Sequence, residues 1–277
     1  MTDPSRISAV FESLRSRGHM AFMPFLSAGD PDLRTTVELI RLLRDSGVDL
    51  IEIGFPYSDP IADGPVIQAS YTRALANKTR LPEIFAALKS LQGESHPPLL
   101  AMVAYAIIFR AGPQQFVQLA AEAGFSGLIV PDLPGDQAGA LYELAREFGL
   151  DLVSLVAPTT TAERVDRILQ STSGFVYCIS VAGTTGVREA LPEELARYLG
   201  ELKKRTKLPL AVGFGISRPE HVKSLRGLAD GAIVGSALVR QIERLNGATS
   251  ADRAQILDEI SRFARTMSEA ARQSTGQ

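Results

Sequence analysis

Asp49-Leu50-Ile51-Glu52-Ile53-Gly54-Phe55-Pro56-Tyr57-Ser58-Asp59-Pro60-Ile61-Ala62-Asp63-Gly64-Pro65 is the stretch from which the rest of the chain can be read. Its opening is a short apolar run, rich in isoleucine and closed by Gly54 and Pro56, which suits a buried parallel strand better than a helix. Successive side chains of a strand alternate faces, so Glu52 shares a face with Leu50 while Ile51 and Ile53 take the other. A carboxylate set among apolar neighbours is costly unless it is paired, hydrogen-bonded or protonated. Asp59 and Asp63 follow in a loop that prolines and a glycine hold in shape. Glu52 and Asp63 read as a working pair of acids. Strand-end glutamates and loop aspartates also serve as plain surface residues, so the reading depends on the surrounding chain.

Working outward, the same alternation of strand and helix recurs. Upstream, residues 3 to 17 have Ile7, Val10, Phe11 and Leu14 at helical spacing, an extra helix before the alternation begins. Met20 to Leu26 is the first strand, and Leu33, Val37, Ile40 and Leu43 stripe the helix after it. Beyond the second strand come helical segments near 66 to 77 and 82 to 91. The remaining strands are expected at Pro98 to Ala106, Gly127 to Pro131, Asp151 to Ala157, Gly174 to Ser180, Leu208 to Phe214 and Asp230 to Gly235, with amphipathic helices between them. Ile256, Ile260, Phe263 and Met267 mark a long final helix.

Eight short β-rich strands alternating with helices imply a parallel sheet covered by helices. An eight-stranded closed barrel takes that number in one unit, whereas a doubly wound sheet usually has fewer strands. The expected architecture is a (β/α)8 TIM barrel with an extra N-terminal helix, a single domain over residues 1–277. Its site would lie where the carboxyl ends of the strands converge.

Composition narrows the function. The 277 residues are 45% hydrophobic and carry a net charge of -2, enough for a full core and without the basic surplus of a nucleic-acid binder. No apolar run approaches the roughly 20 residues of a membrane span, so a cytoplasmic protein is expected. Cys178 is the one cysteine and reads as a small buried side chain. His19, His96 and His221 have no ligand spacing, so no metal site is expected.

Three late loops belong together: Gly183-Thr184-Thr185-Gly186, Gly213-Phe214-Gly215-Ile216-Ser217, and Gly235-Ser236 at the start of a short helix. Glycines let main-chain N–H groups approach an anion, and a helix N-terminus adds a favourable dipole. A small phosphorylated metabolite is the implied ligand. Two readings stay open here: a sugar-phosphate isomerase using Glu52 as base, and a barrel kept to bind and activate a partner.

The run from Glu52 to Gln68 closely resembles the signature of the tryptophan synthase α subunit family. So do Pro24-Phe25 through Pro31, Leu128 through Pro134, Gly183 through Gly186 with Arg188, Gly213 through Ser217, and Gly235-Ser236. The resemblance implies a (β/α)8 lyase cleaving indole-3-glycerol phosphate to indole and glyceraldehyde 3-phosphate. It implies no cofactor in this chain, and a pyridoxal phosphate-bearing tryptophan synthase β subunit as partner in an α2β2 heterotetramer, with contacts on Pro56 to Asp59. By the same resemblance Glu52 would transfer protons, Asp63 would face the indole N–H, and Phe25 and Tyr177 would wall the indole pocket. Gly186, Gly215, Gly235 and Ser236 would hold the phosphate, and Thr185 would sit on a loop closing over Asp63. One segment departs from the family pattern: Met102 to Arg110 carries Ala106 where an asparagine is usual, in a stretch expected to border both pocket and partner surface.

Overall fold

In the computed structural model, residues 4–60, 63–179, 193–213 and 215–272 are described. The chain opens with α1 (Arg6–Ser16), followed by β1 (Ala21–Ser27), α2 (Leu33–Asp45), β2 (Ile51–Gly54), α3 (Pro65–Ala76), α4 (Leu81–Lys89), β3 (Leu99–Met102), α5 (Tyr105–Ala111), α6 (Pro113–Glu122) and β4 (Phe125–Ile129). A 3-10 turn (Gly135–Gln137) leads into α7 (Gly139–Glu147), β5 (Asp151–Val156), α8 (Ala162–Leu169), β6 (Val176–Ile179) and α9 (Glu193–Arg205). Then come β7 (Leu210–Gly213), α10 (Pro219–Ser224), β8 (Gly231–Val234), α11 (Ser236–Glu243) and α12 (Ser250–Arg272). Each strand pairs in parallel with the next, and β8 returns to β1 with Ala21 opposite Gly231 and Pro24 opposite Val234, closing an eight-stranded barrel. Among the described residues no helix is long and apolar enough to cross a membrane.

Alternation along the strands divides the core in two. Ile51 and Ile53 face outward into the layer shared with the helices. Leu50, with Met23, Leu100, Ile129, Val153 and Ile233, fills the barrel interior. Glu52 lies on that inner face, as its spacing from Leu50 requires.

The N-terminal helix closes the barrel floor. Ile7, Phe11 and Leu14 join the interior cluster, and the Phe11 ring lies 5.6 Å from that of Phe175. Gly127 makes room for this helix, since a Cβ there would stand 2.9 Å from Ile7 Cδ1. Ser5 caps α1 and its hydroxyl donates to Asp151 Oδ2 at 2.5 Å, tying the helix to the first residue of β5.

Two expected strands are corrected. The third was expected to run to Ala106 but ends at Met102, because the Tyr105 N–H donates to Asp132 Oδ1 at 2.7 Å and the chain turns into α5. An apolar run such as Ala104 to Phe109 fits either period, and here a side-chain acceptor from the next loop decides for the helix. The fourth strand, expected over Gly127 to Pro131, begins at Phe125. A register shift sets Leu99 opposite Phe125 and Leu100 opposite Gly127. Phe125 is recruited by aromatic rings on the outer face, 5.8 Å from Phe55 and 6.3 Å from Phe85.

Candidate active site

Glu52 is the penultimate but one residue of a four-residue strand, with Phe25 as its register partner on β1 and Leu100 on β3. It is only 1% exposed, and its Oε1 has no hydrogen-bond partner among the described residues. Burial without a compensating cation or donor pushes its carboxyl well above the usual range, so it holds its proton in the free site. An unpartnered acid at this depth is costly to the fold, which marks it as a candidate functional residue.

Asp63 is delivered by the loop after the same strand, one residue before the Gly64 cap of α3. Pro65 at the first helical position favours the helix start there. Gln68 holds the loop by its main chain, its Nε2 donating to the carbonyls of Asp63 at 2.7 Å and Pro60 at 3.1 Å. Partial burial pushes the Asp63 carboxyl up to about 6. Burial raises the phenols of Tyr71 and Tyr177, and both acids lie close enough to these two rings to add to that rise when ionised. The acids differ in environment: Glu52 is sealed, whereas Asp63 is partly open to water.

The walls depend on missing side chains. A Cβ on Gly54 would stand 2.3 Å from Phe25 Cζ, and one on Gly213 would stand 2.3 Å from Tyr177 Oη. Each glycine thus admits an aromatic ring across the mouth of the barrel. Gly54→Ala is expected to push Phe25 against the rings it packs on; overpacking of this kind costs about 1–3 kcal/mol. Thermal unfolding and the KM for substrate report it together, and an unchanged KM would show that the Phe25 wall does not face the ligand.

At the other side of the mouth, Gly215 has φ +68 and open space where its side chain would be. The nearest atoms to a Cβ on Gly235 would be 3.9 Å away, and Ser236 opens α11 as an exposed residue. The first amides of a helix have no acceptor within it, so this end offers donors to an anion. The cradle inferred from the glycines is therefore open at Gly215, Gly235 and Ser236. Thr185 and Gly186 lie outside the described residues.

The helix α3 links the two ends. Ser70 and Ser27 share a buried hydroxyl contact at 2.5 Å. Arg73 grips the buried Asp30 with Nε to Oδ1 at 2.9 Å and Nη2 to Oδ2 at 2.8 Å, while its Nη1 reaches Glu243 at the end of α11 at 3.0 Å. The C-terminal ends of α3 and α11 and the loop after β1 thus share one ion-paired brace.

Sequence reading missed part of the wall. Phe25, Ile67, Tyr71 and Val239 form a small cluster with Tyr57, Val66 and Met102 packed on it. Ile67 and Tyr71 stand one turn apart on the helix following Asp63, a spacing that could have been noticed. In the substituted segment Met102 packs on this cluster and Ala106 is exposed on α5.

Comparison with known proteins agrees with this geometry. A family model described as Tryptophan synthase alpha chain matches residues 11–272. The tryptophan synthase alpha chain of Prochlorococcus marinus (strain MIT 9313) is 49% identical over 237 residues, covering 85% of this chain and 86% of that one. That of Thermoanaerobacter sp. (strain X514) is 41% identical over 265 residues, covering 96% and 99%. Among solved structures, the tryptophan synthase alpha chain of Legionella pneumophila superposes with a TM-score of 0.87 at 32% identity, covering 99% of both chains.

Proposed function

The chain belongs to the tryptophan synthase alpha chain family, and on that premise we propose that Glu52 and Asp63 are the residues with which it cleaves indole-3-glycerol phosphate. The reaction is a retro-aldol lyase step of tryptophan biosynthesis, releasing indole and glyceraldehyde 3-phosphate. Glu52, held protonated by burial, gives its proton to indole C3. As a carboxylate it then takes the proton of the C3′ hydroxyl as the C3–C3′ bond breaks and the aldehyde forms. Asp63 in its ionised form accepts from the indole N–H and stabilises the positive charge that C3 protonation sends to the ring nitrogen. Two acids in unequal environments suit these two roles. Phe25 and Tyr177 flank the indole, and main-chain amides at Gly186, Gly215, Gly235 and Ser236 take the phosphate. Thr185 belongs to the segment that covers Asp63. The reaction is written with side chains alone, so no cofactor is assigned to this chain.

The proposal extends to a cytoplasmic α2β2 complex in which a β subunit carrying pyridoxal phosphate receives the indole, with residues 1–277 acting as one barrel domain. Phe109 on α5 is 71% exposed and lies 6.4 Å from the ring of Tyr105, an apolar spot on the helix that follows β3, which such a partner could cover.

One observation supports the catalytic assignment: a buried carboxyl with an unpartnered oxygen on the inner wall of the barrel. The test is indole release from indole-3-glycerol phosphate by the purified chain, with and without a β subunit. Indole is expected in both cases, faster with the partner. Absence of indole in both would overturn the reading.

A further inference from the structure

Tyr71 is 2% exposed and sits in a wall otherwise made of Phe25, Ile67, Val239 and Met102. A hydroxyl set in apolar surroundings gains from a polar partner, so its position matters. A Cβ on Gly54 would stand 2.6 Å from Tyr71 Oη, which places the oxygen against the inner face of β2. Glu52 and Gly54 share that face, two residues apart, so the hydroxyl lies one pleat further toward the barrel mouth, on the order of 7 Å along the strand.

Helical side chains tilt toward the N-terminus of their helix, so the Tyr71 ring leans back along α3 toward the end where Asp63 stands. Its ring is fixed between Phe25, 6.5 Å away, and Tyr57, 5.7 Å away. Asp63, Tyr57 and Glu52 all raise its phenol in addition to burial, which agrees with a hydroxyl set between the two acids. It stays protonated and able to donate.

We propose that Tyr71 is a substrate-binding residue whose hydroxyl engages the C2′ hydroxyl of the substrate's glycerol chain. The inference rests on the cleavage reaction assigned above. Glu52 addresses the C3′ hydroxyl, so the next polar group along the same wall meets the next carbon of the chain as it runs toward the phosphate. This contact selects a hydroxylated chain and fixes its rotation about the bond to be broken.

The test uses the Glu52→Gln protein, in which substrate persists long enough for calorimetry. With Tyr71 intact it should bind both indole-3-glycerol phosphate and indole-3-propanol phosphate, which has the ring and phosphate but no chain hydroxyls. Adding Tyr71→Phe should weaken the hydroxylated ligand about fivefold, as expected for one neutral hydrogen bond, and leave the propanol phosphate unchanged. Equal weakening of both, or of neither, overturns the contact. A measurement without the tyrosine variant gives the same decision: the 2′-deoxy substrate should bind the Glu52→Gln protein about fivefold more weakly than the full substrate, and equal affinity overturns the contact. If Glu52→Gln with Tyr71 intact binds neither ligand, it is the cleavage reading that falls, and the contact with it. Failure confined to the Tyr71 comparison leaves that reading standing.

Discussion

Glu52→Gln is expected to abolish indole release while the protein still binds indole-3-glycerol phosphate. Glutamine has the shape of glutamic acid but cannot give a proton to indole C3 or take one from the C3′ hydroxyl. Loss of a positioned acid–base group costs about 10²–10⁴-fold in rate, and here one side chain serves both transfers, so the upper end is expected. Single-turnover indole formation and calorimetric affinity measured on the same preparation decide it. Turnover within tenfold of the unaltered protein would remove Glu52 from the chemistry.

The same substitution has a consequence for stability. Burial raises the Glu52 carboxyl, so the folded state keeps a proton that the unfolded chain releases once pH passes the ordinary carboxylate range. Above that range the folded state binds more protons than the unfolded one, and stability falls as pH rises toward the elevated folded-state value. Glutamine has no such proton. The melting temperature of Glu52→Gln minus that of the unaltered protein should therefore increase from pH 4 upward, and a constant difference would contradict a buried neutral acid.

Asp63→Asn is expected to lower kcat about 10²–10³-fold, the loss seen when one preorganised partner of a developing charge is removed. Its signature is the pH profile. With Asp63 pushed up to about 6 and needed as carboxylate, kcat/KM should rise with pH through about 6 in the unaltered protein. The alkaline limb belongs to Glu52, which must be protonated. Asparagine should erase the acid limb and keep the alkaline one. Persistence of the acid limb in Asp63→Asn would assign it to another group.

Much of the barrel was legible because parallel strands buried on both faces leave apolar runs of Ile, Val and Leu between helical stripes. The inward placement of Glu52 followed from its two-residue spacing to Leu50. The third and fourth strands were misplaced at their edges for a tertiary reason: the Asp132 carboxylate and the outer aromatic cluster lie far along the chain from the segments they redirect. The family resemblance pointed to Glu52, Asp63, Phe25 and Tyr177. It was silent on Tyr71, whose relevance comes from Gly54 lacking a side chain, and that relation is visible only in three dimensions.

The floor made by Ile7, Phe11 and Leu14 leaves the reaction chamber a cul-de-sac. A ligand that reaches Glu52 therefore comes from the strand-end side of the barrel. A partner seated over that side would stand next to the newly formed indole.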